Sequence, residues 1–96
     1  MELRGSRIVH QSPIFGMLFL DKRDDDKKFM VVVSKKISKK AVDRNKIKRQ
    51  LFEVLRLNLE KIRPGVRAGF LIRKKFLECK WEEIKTETER ALEKLK

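Results

Sequence analysis

Between residues 34 and 49 the chain sets Lys35, Lys36, Lys39, Lys40, Arg44, Lys46, Lys48 and Arg49 against one acid, Asp43, with Asn45 among them. Ammonium and guanidinium groups at this density are suited to phosphate: the guanidinium fork grips two oxygens at once, and the ammonium acts as a compact point charge. The same stretch leaves a loop and enters a helix, whose first N–H groups lack partners within the helix and attract anions. Like charges packed beside a positive helix end repel one another and weaken the fold unless a polyanion relieves them. A charge run that is merely solvated is therefore the weaker reading.

Other residue types with chemical potential have a blander explanation. His10 is the only histidine and has no carboxylate or cysteine at ligand spacing, which favours a surface or strand residue over an acid–base catalyst. Asp24, Asp25 and Asp26 carry the oxygen ligands that Mg2+ prefers, but flanking cations and a position between two strands favour a solvated turn. Cys79 stands alone, without a disulfide partner or enough company for zinc, so it reads as an ordinary thiol in a reducing, cytoplasmic setting. Trp81 could stack a base, although packing beneath the last helix is the stronger reading. With no Ser–His–Asp set, glycine-rich phosphate loop or metal-spaced cluster, the polypeptide alone is not expected to catalyse a reaction.

A small set of elements must position the cations. Residues 14–20 and 29–33 are apolar runs of strand length separated by the all-charged residues 21–28, and read as a hairpin with a polar tip. Residues 7–10 suit a further strand, with Ser12-Pro13 as a bend because proline has no N–H for the ladder. From residue 45 to residue 62, Ile47, Leu51, Val54, Leu55, Asn58 and Ile62 recur at three- and four-residue steps, a helical stripe that Pro64-Gly65 ends. At about 100° per residue, Asn45, Arg49 and Arg56 fall opposite Ile47 and Leu51, so one face enters the core and the other offers cations. Asp43 could cap a helix beginning near Arg44.

Residues 68–72 are apolar on both parities, as in a strand covered on both sides. Trp81, Ile84, Thr88, Ala91, Leu92 and Leu95 mark a second helix, with Glu82 and Glu83 in its first turn and Lys94 and Lys96 in its last. This order predicts a single α+β domain over residues 1–96, one sheet with helices packed on it. Alternation along residues 14–20 turns Phe15, Met17 and Phe19 toward the helices. Ile14, Gly16 and Leu18 then join Met30 and Val32 in an apolar floor on the other face, rimmed by cations from Lys35 onward.

The whole chain of 96 residues has 26 Lys and Arg against 14 Asp and Glu, a net charge of +12. Residues 34–49 contribute +7 and residues 56–75 contribute +6, so the charge is concentrated. The longest apolar run, residues 14–20, is far short of the roughly 20 residues a bilayer span needs, and residues 1–12 lack the features of a signal peptide. Since the helical stripe is already committed to the sheet, nucleic acid is the expected polyanion, and no membrane partner is expected. Helix-turn-helix, zinc-finger and basic-zipper spacings are missing from the sequence, and a mixed sheet with one basic helix suits folded RNA better than duplex DNA.

Val33-Ser34-Lys35-Lys36-Ile37, followed by Ala41-Val42-Asp43-Arg44-Asn45-Lys46-Ile47-Lys48-Arg49, strongly resembles the signature of the bacterial ribonuclease P protein subunit. In that family a strand ending in Val-Ser-Lys-Lys leads into Ala-Val-x-Arg-Asn-x-x-Lys-Arg on the next helix. The similarity extends over nearly the whole chain, from Gly5 before the first strand to the closing helix at residues 81–95. It implies a left-handed strand–helix–strand crossover, a fold shared with a domain of a small-subunit ribosomal protein, where general physics favours the right hand.

The resemblance also implies a function: binding a large catalytic RNA, with which the protein removes the 5′ leader of precursor tRNA using Mg2+ held by the RNA. Arg44, Asn45, Lys48 and Arg49 would then contact the catalytic RNA, with Lys35 and Lys36 at the rim. Lys39, Lys40, Lys46 and Arg56 complete the RNA-binding set, and the floor of Ile14, Gly16, Leu18, Met30 and Val32 becomes the leader cleft. The sequence departs from the family pattern at three points. A short front helix carrying two aromatics is not found ahead of Gly5; Phe52-Glu53 stands where the family often has Arg-Glu, leaving Arg56 to supply the cation; and Asp43 puts an acid before the motif. A structural RNA-binding protein of the ribosome and a DNA-binding module are the alternatives.

Overall fold

The computed structural model describes residues 7–96. Four strands, β1 (Arg7–Gln11), β2 (Phe15–Asp21), β3 (Lys28–Val32) and β4 (Val66–Ile72), form one mixed sheet in the order β1-β2-β4-β3. Helix α1 (Ala41–Asn58) links β3 to β4, and α2 (Trp81–Leu92) closes the chain; short 3-10 turns follow both helices and β4. The α+β architecture expected from the sequence is therefore present, including the strand–helix–strand unit, since β3 and β4 pair in parallel. Gly5 lies outside the described residues, as does anything that could stand for the front helix.

The expected hairpin of residues 14–20 with 29–33 does not form. β4 inserts between the two strands, antiparallel to β2 with Phe15 opposite Ile72 and Asp21 opposite Val66, and parallel to β3. Two reasons favour this. β4 is apolar on both parities and gains most at the centre, where six of its seven residues are buried. In addition, residues 22–27 have to bridge only two strand spacings, about 10 Å, and they are fastened to the start of β4: Lys22 N–H donates to the Gly65 carbonyl at 2.7 Å, and Gly65 N–H donates to that of Asp26 at 2.9 Å. Gly65 has φ +85°, and an added Cβ would lie 2.1 Å from the Lys22 carbonyl oxygen, so this junction requires glycine.

Register sorts the side chains. Phe15, Met17 and Phe19 lie opposite Ile72, Phe70 and Ala68, while Val31 and Phe29 flank the same β4 residues on the other side. These side chains face the helices, which return Ile47, Leu51, Val54 and Leu55 from α1 and Ile84, Ala91 and Leu92 from α2 to a common core. The Phe15 and Phe70 rings meet edge to face, 5.2 Å between centroids. Asn58 joins the helices by donating to Val54 O at 2.8 Å and to Glu89 Oε2 at 3.2 Å.

Four details correct the sequence reading. Helix α1 begins at Ala41, ahead of Arg44, so Asp43 is a first-turn residue and Lys40 occupies the cap position without a side-chain cap. The helix gives way to a 3-10 turn at Leu59, ahead of Pro64-Gly65. Ile14 is not part of the open floor: the Ser12-Pro13 bend turns it into the core, where it is 3% exposed. Ser12 fixes that bend by accepting from the N–H groups of Ile14 and Phe15 and donating to Phe15 O. Trp81 is 37% exposed instead of lying beneath the last helix.

Candidate nucleic-acid interface

The loop between β3 and α1 is held from within by its own backbone. Ile37 packs partly buried against the core, its N–H donates to Ser34 O at 3.0 Å, and Lys36 N–H reaches Ser34 Oγ at 3.2 Å. Ser38 then bridges loop and helix, accepting from Lys40 N–H at 3.2 Å and donating to Asp43 Oδ2 at 2.9 Å. Anchoring at Ile37 and Ser38 leaves Lys35, Lys36, Lys39 and Lys40 exposed around the start of α1. Asp43, which as an acid opposes phosphate, is turned to Ser38 and favours the helix dipole.

Along α1 the cations divide by phase. Arg44 is half-buried and its Nη1 donates to Ser38 O at 2.8 Å, so this guanidinium also clamps the loop. Asn45, Lys48 and Arg49 are exposed and line a shallow depression with Val42, Phe52 and Arg56. Lys46 is on the flank toward Trp81. Arg56 is bound to Glu53 by two contacts, the shorter 2.5 Å, and the pair holds the Glu53 carboxyl below its usual range. Arg56 therefore shares its charge with Glu53 and does not simply replace a missing cation.

On the sheet face away from the helices, pairing aligns Gly16 with Leu71, Leu18 with Gly69, Met30 with Gly69 and Val32 with Leu71. Four of the five expected floor residues thus share one surface. Ile8, opposite Leu18, and Leu71 belong to it as well, at 49% and 37% exposure; finding them needs the strand order, which alternation within each strand does not carry. At one end Gln11 accepts from Arg73 over Gly16. At the other, Arg67 is nearly buried and bonds Asp24 Oδ2 at 2.6 Å and Asp26 O at 2.9 Å, which lowers the Asp24 pKa. The acidic run 24–26 is thus a strapped turn.

Two features coexist: a cationic surface from the β3–α1 loop along α1, and an aliphatic sheet face without helical cover. The family model for ribonuclease P matches residues 3–96. Among curated relatives, the ribonuclease P protein component of Synechococcus sp. is 39% identical over 64 residues, which is 67% of this chain and 48% of that protein. The counterpart of Rippkaea orientalis is 31% identical over 97% of this chain and 76% of its own length. The chain spans about half the length of the first of these relatives. The solved RNase P protein of Thermotoga maritima superposes with a TM-score of 0.86 at 26% identity, covering 98% of this chain and 87% of that one. That of Staphylococcus aureus, at 24% identity and TM-score 0.81 over 95% of this chain, shares the fold. With a family model and a relative that both match over nearly its whole length, the chain belongs to the ribonuclease P protein family.

Proposed function

We propose that the chain is the RNA-binding protein of a ribonuclease P ribonucleoprotein that matures the 5′ end of tRNA in the cytoplasm. The carrying observation is the surface formed by Lys35, Lys36, Lys39, Lys40, Asn45, Lys48 and Arg49, all exposed and running from the β3–α1 loop onto α1. Arg44 shapes the loop while keeping further N–H groups for phosphate. The uncapped start of α1 adds backbone N–H groups to the same surface. Mg2+ held by the RNA would supply the hydrolytic chemistry; the protein binds and orients.

The aliphatic floor of Gly16, Leu18, Met30, Val32, Ile8 and Leu71 suits a single-stranded leader, whose bases can lie on it without being read individually. Reconstitution with the cognate catalytic RNA tests both surfaces. Precursor tRNA should bind more tightly than mature tRNA when the protein is present, by a margin that falls with salt at about −0.7 per leader phosphate contacted. An unchanged precursor-to-mature ratio with and without protein would exclude leader contact. Failure to assemble with that RNA, alongside tight binding of ribosomal RNA or duplex DNA, would overturn the whole reading.

A further inference from the structure

Of the six phenylalanines, Phe15, Phe70 and Phe76 are buried, and Phe19 and Phe29 pack partly buried against the core. Phe52 departs from this pattern, 43% exposed on the cationic side of α1. Trp81, the sole tryptophan, is 37% exposed at the start of α2. One shallow depression contains Phe52 and a second contains Trp81; Arg49 and Glu53 line both, so the two aromatics flank Arg49. The part of each ring left in water gains nothing from folding, and that apolar area is available to a partner.

The surroundings select that partner. Lys46, Lys48 and Arg49 make it anionic, and the Glu53 charge is answered by Arg56 at 2.5 Å. An anion that also presents flat π-surfaces is a nucleic acid with unpaired bases, because a paired helix offers edges and phosphates while its base faces are stacked on each other. The guanidinium plane of Arg49 can itself stack between two rings. The aliphatic sheet floor has no such ring among its described residues, so the two surfaces differ in what they can hold.

We propose that Phe52 and Trp81 flank Arg49 as a base-stacking site for unpaired nucleotides of the partner RNA, with Lys48 and Arg49 on the adjoining phosphates. This rests on the RNA-binding reading of α1 and extends it from phosphate attraction to base contact.

Titration of the cognate ribonuclease P RNA against wild type, Phe52→Leu and Arg49→Ala at several salt concentrations tests it, with thermal melts to show that each variant folds. Phe52→Leu should weaken binding about five- to hundredfold at fixed salt and leave the salt slope unchanged, since a stacking contact releases no counterion. Arg49→Ala should reduce the slope as well. In the wild-type chain, saturating RNA should quench Trp81 emission. If Phe52→Leu binds like wild type and Trp81 emission does not move while Arg49→Ala weakens binding, the stacking site is overturned and the RNA-binding reading stands. If Arg49→Ala also binds like wild type, that reading falls with it.

Discussion

Arg44 and Arg49 lie on the same helix, yet their guanidinium groups are differently committed. Arg49 is exposed, whereas Arg44 is half-buried and holds Ser38 O at 2.8 Å. Arg49→Ala should therefore cost about 1 to 3 kcal/mol of RNA affinity and leave the melting temperature nearly unchanged. Arg44→Ala should lose a similar amount of affinity and also loosen residues 34–40, read as faster amide exchange at Lys36, Ile37 and Lys40; unaltered exchange there would show that the clamp is unimportant. At His10 both ring nitrogens are buried without a hydrogen-bond partner, and burial, then the nearby Lys94, lower its pKa; Glu87 opposes this and Arg90 adds to it. Below pH 6.5 the unfolded chain takes up a proton that the folded chain resists, so this residue's contribution is present above that pH and lost as pH falls. The melting temperature should drop between pH 7 and pH 5, and His10→Phe should flatten that drop.

At the scale of elements, α1 serves two surfaces with one sequence. Its inner stripe of Ile47, Leu51, Val54 and Leu55 is at most 2% exposed, while the outer stripe carries Asn45, Lys48, Arg49 and Phe52. Leu51→Ala, at a site with no exposure, should cost about 2 to 5 kcal/mol of stability through lost burial and the cavity left behind. RNA affinity per folded molecule should then stay near wild type, as denaturant melts combined with RNA titration would show. A stable Leu51→Ala with impaired binding would mean that the two faces are energetically coupled. The helix starts earlier than its apolar stripe because the first-turn residues Ala41 and Val42 face solvent and contribute no burial from which a periodicity could be read.

For the molecule as a whole, the decisive event is the insertion of β4 between β2 and β3. It sets β3 beside a central strand in parallel, and with both helices packed on one face of the resulting sheet the far face has no helical cover. The junction depends on Gly65, whose N–H and C=O are tied to Asp26 and Lys22, and on Arg67, which straps Asp24. Gly65→Ala would place a methyl group against the Lys22 carbonyl at a positive φ, and should destabilise the whole fold by about 1 to 3 kcal/mol in a single cooperative melt. Loss confined to exchange protection in residues 21–28, with an unchanged melt, would show that the loop is only peripherally attached.

Charge placement, both helices and all four strand segments were legible in the sequence, because each depends on neighbours within a few positions. The period of Ile47, Leu51, Val54 and Leu55 already separates a buried face from a cationic one, whereas the two-parity apolar run at residues 68–72, which reads as a strand covered on both sides, has helices on one side only and leaves Leu71 37% exposed on the other. Strand order was not legible. A polar stretch between two apolar runs looks the same whether the runs pair directly or flank a third strand, and the choice is made by β4, more than forty residues beyond β2. The company of Ile8 and Leu71 on the open face and the exposure of Trp81 are likewise set by packing between elements. They depend on which surfaces have already been filled by residues distant in sequence, and only the tertiary structure decides that.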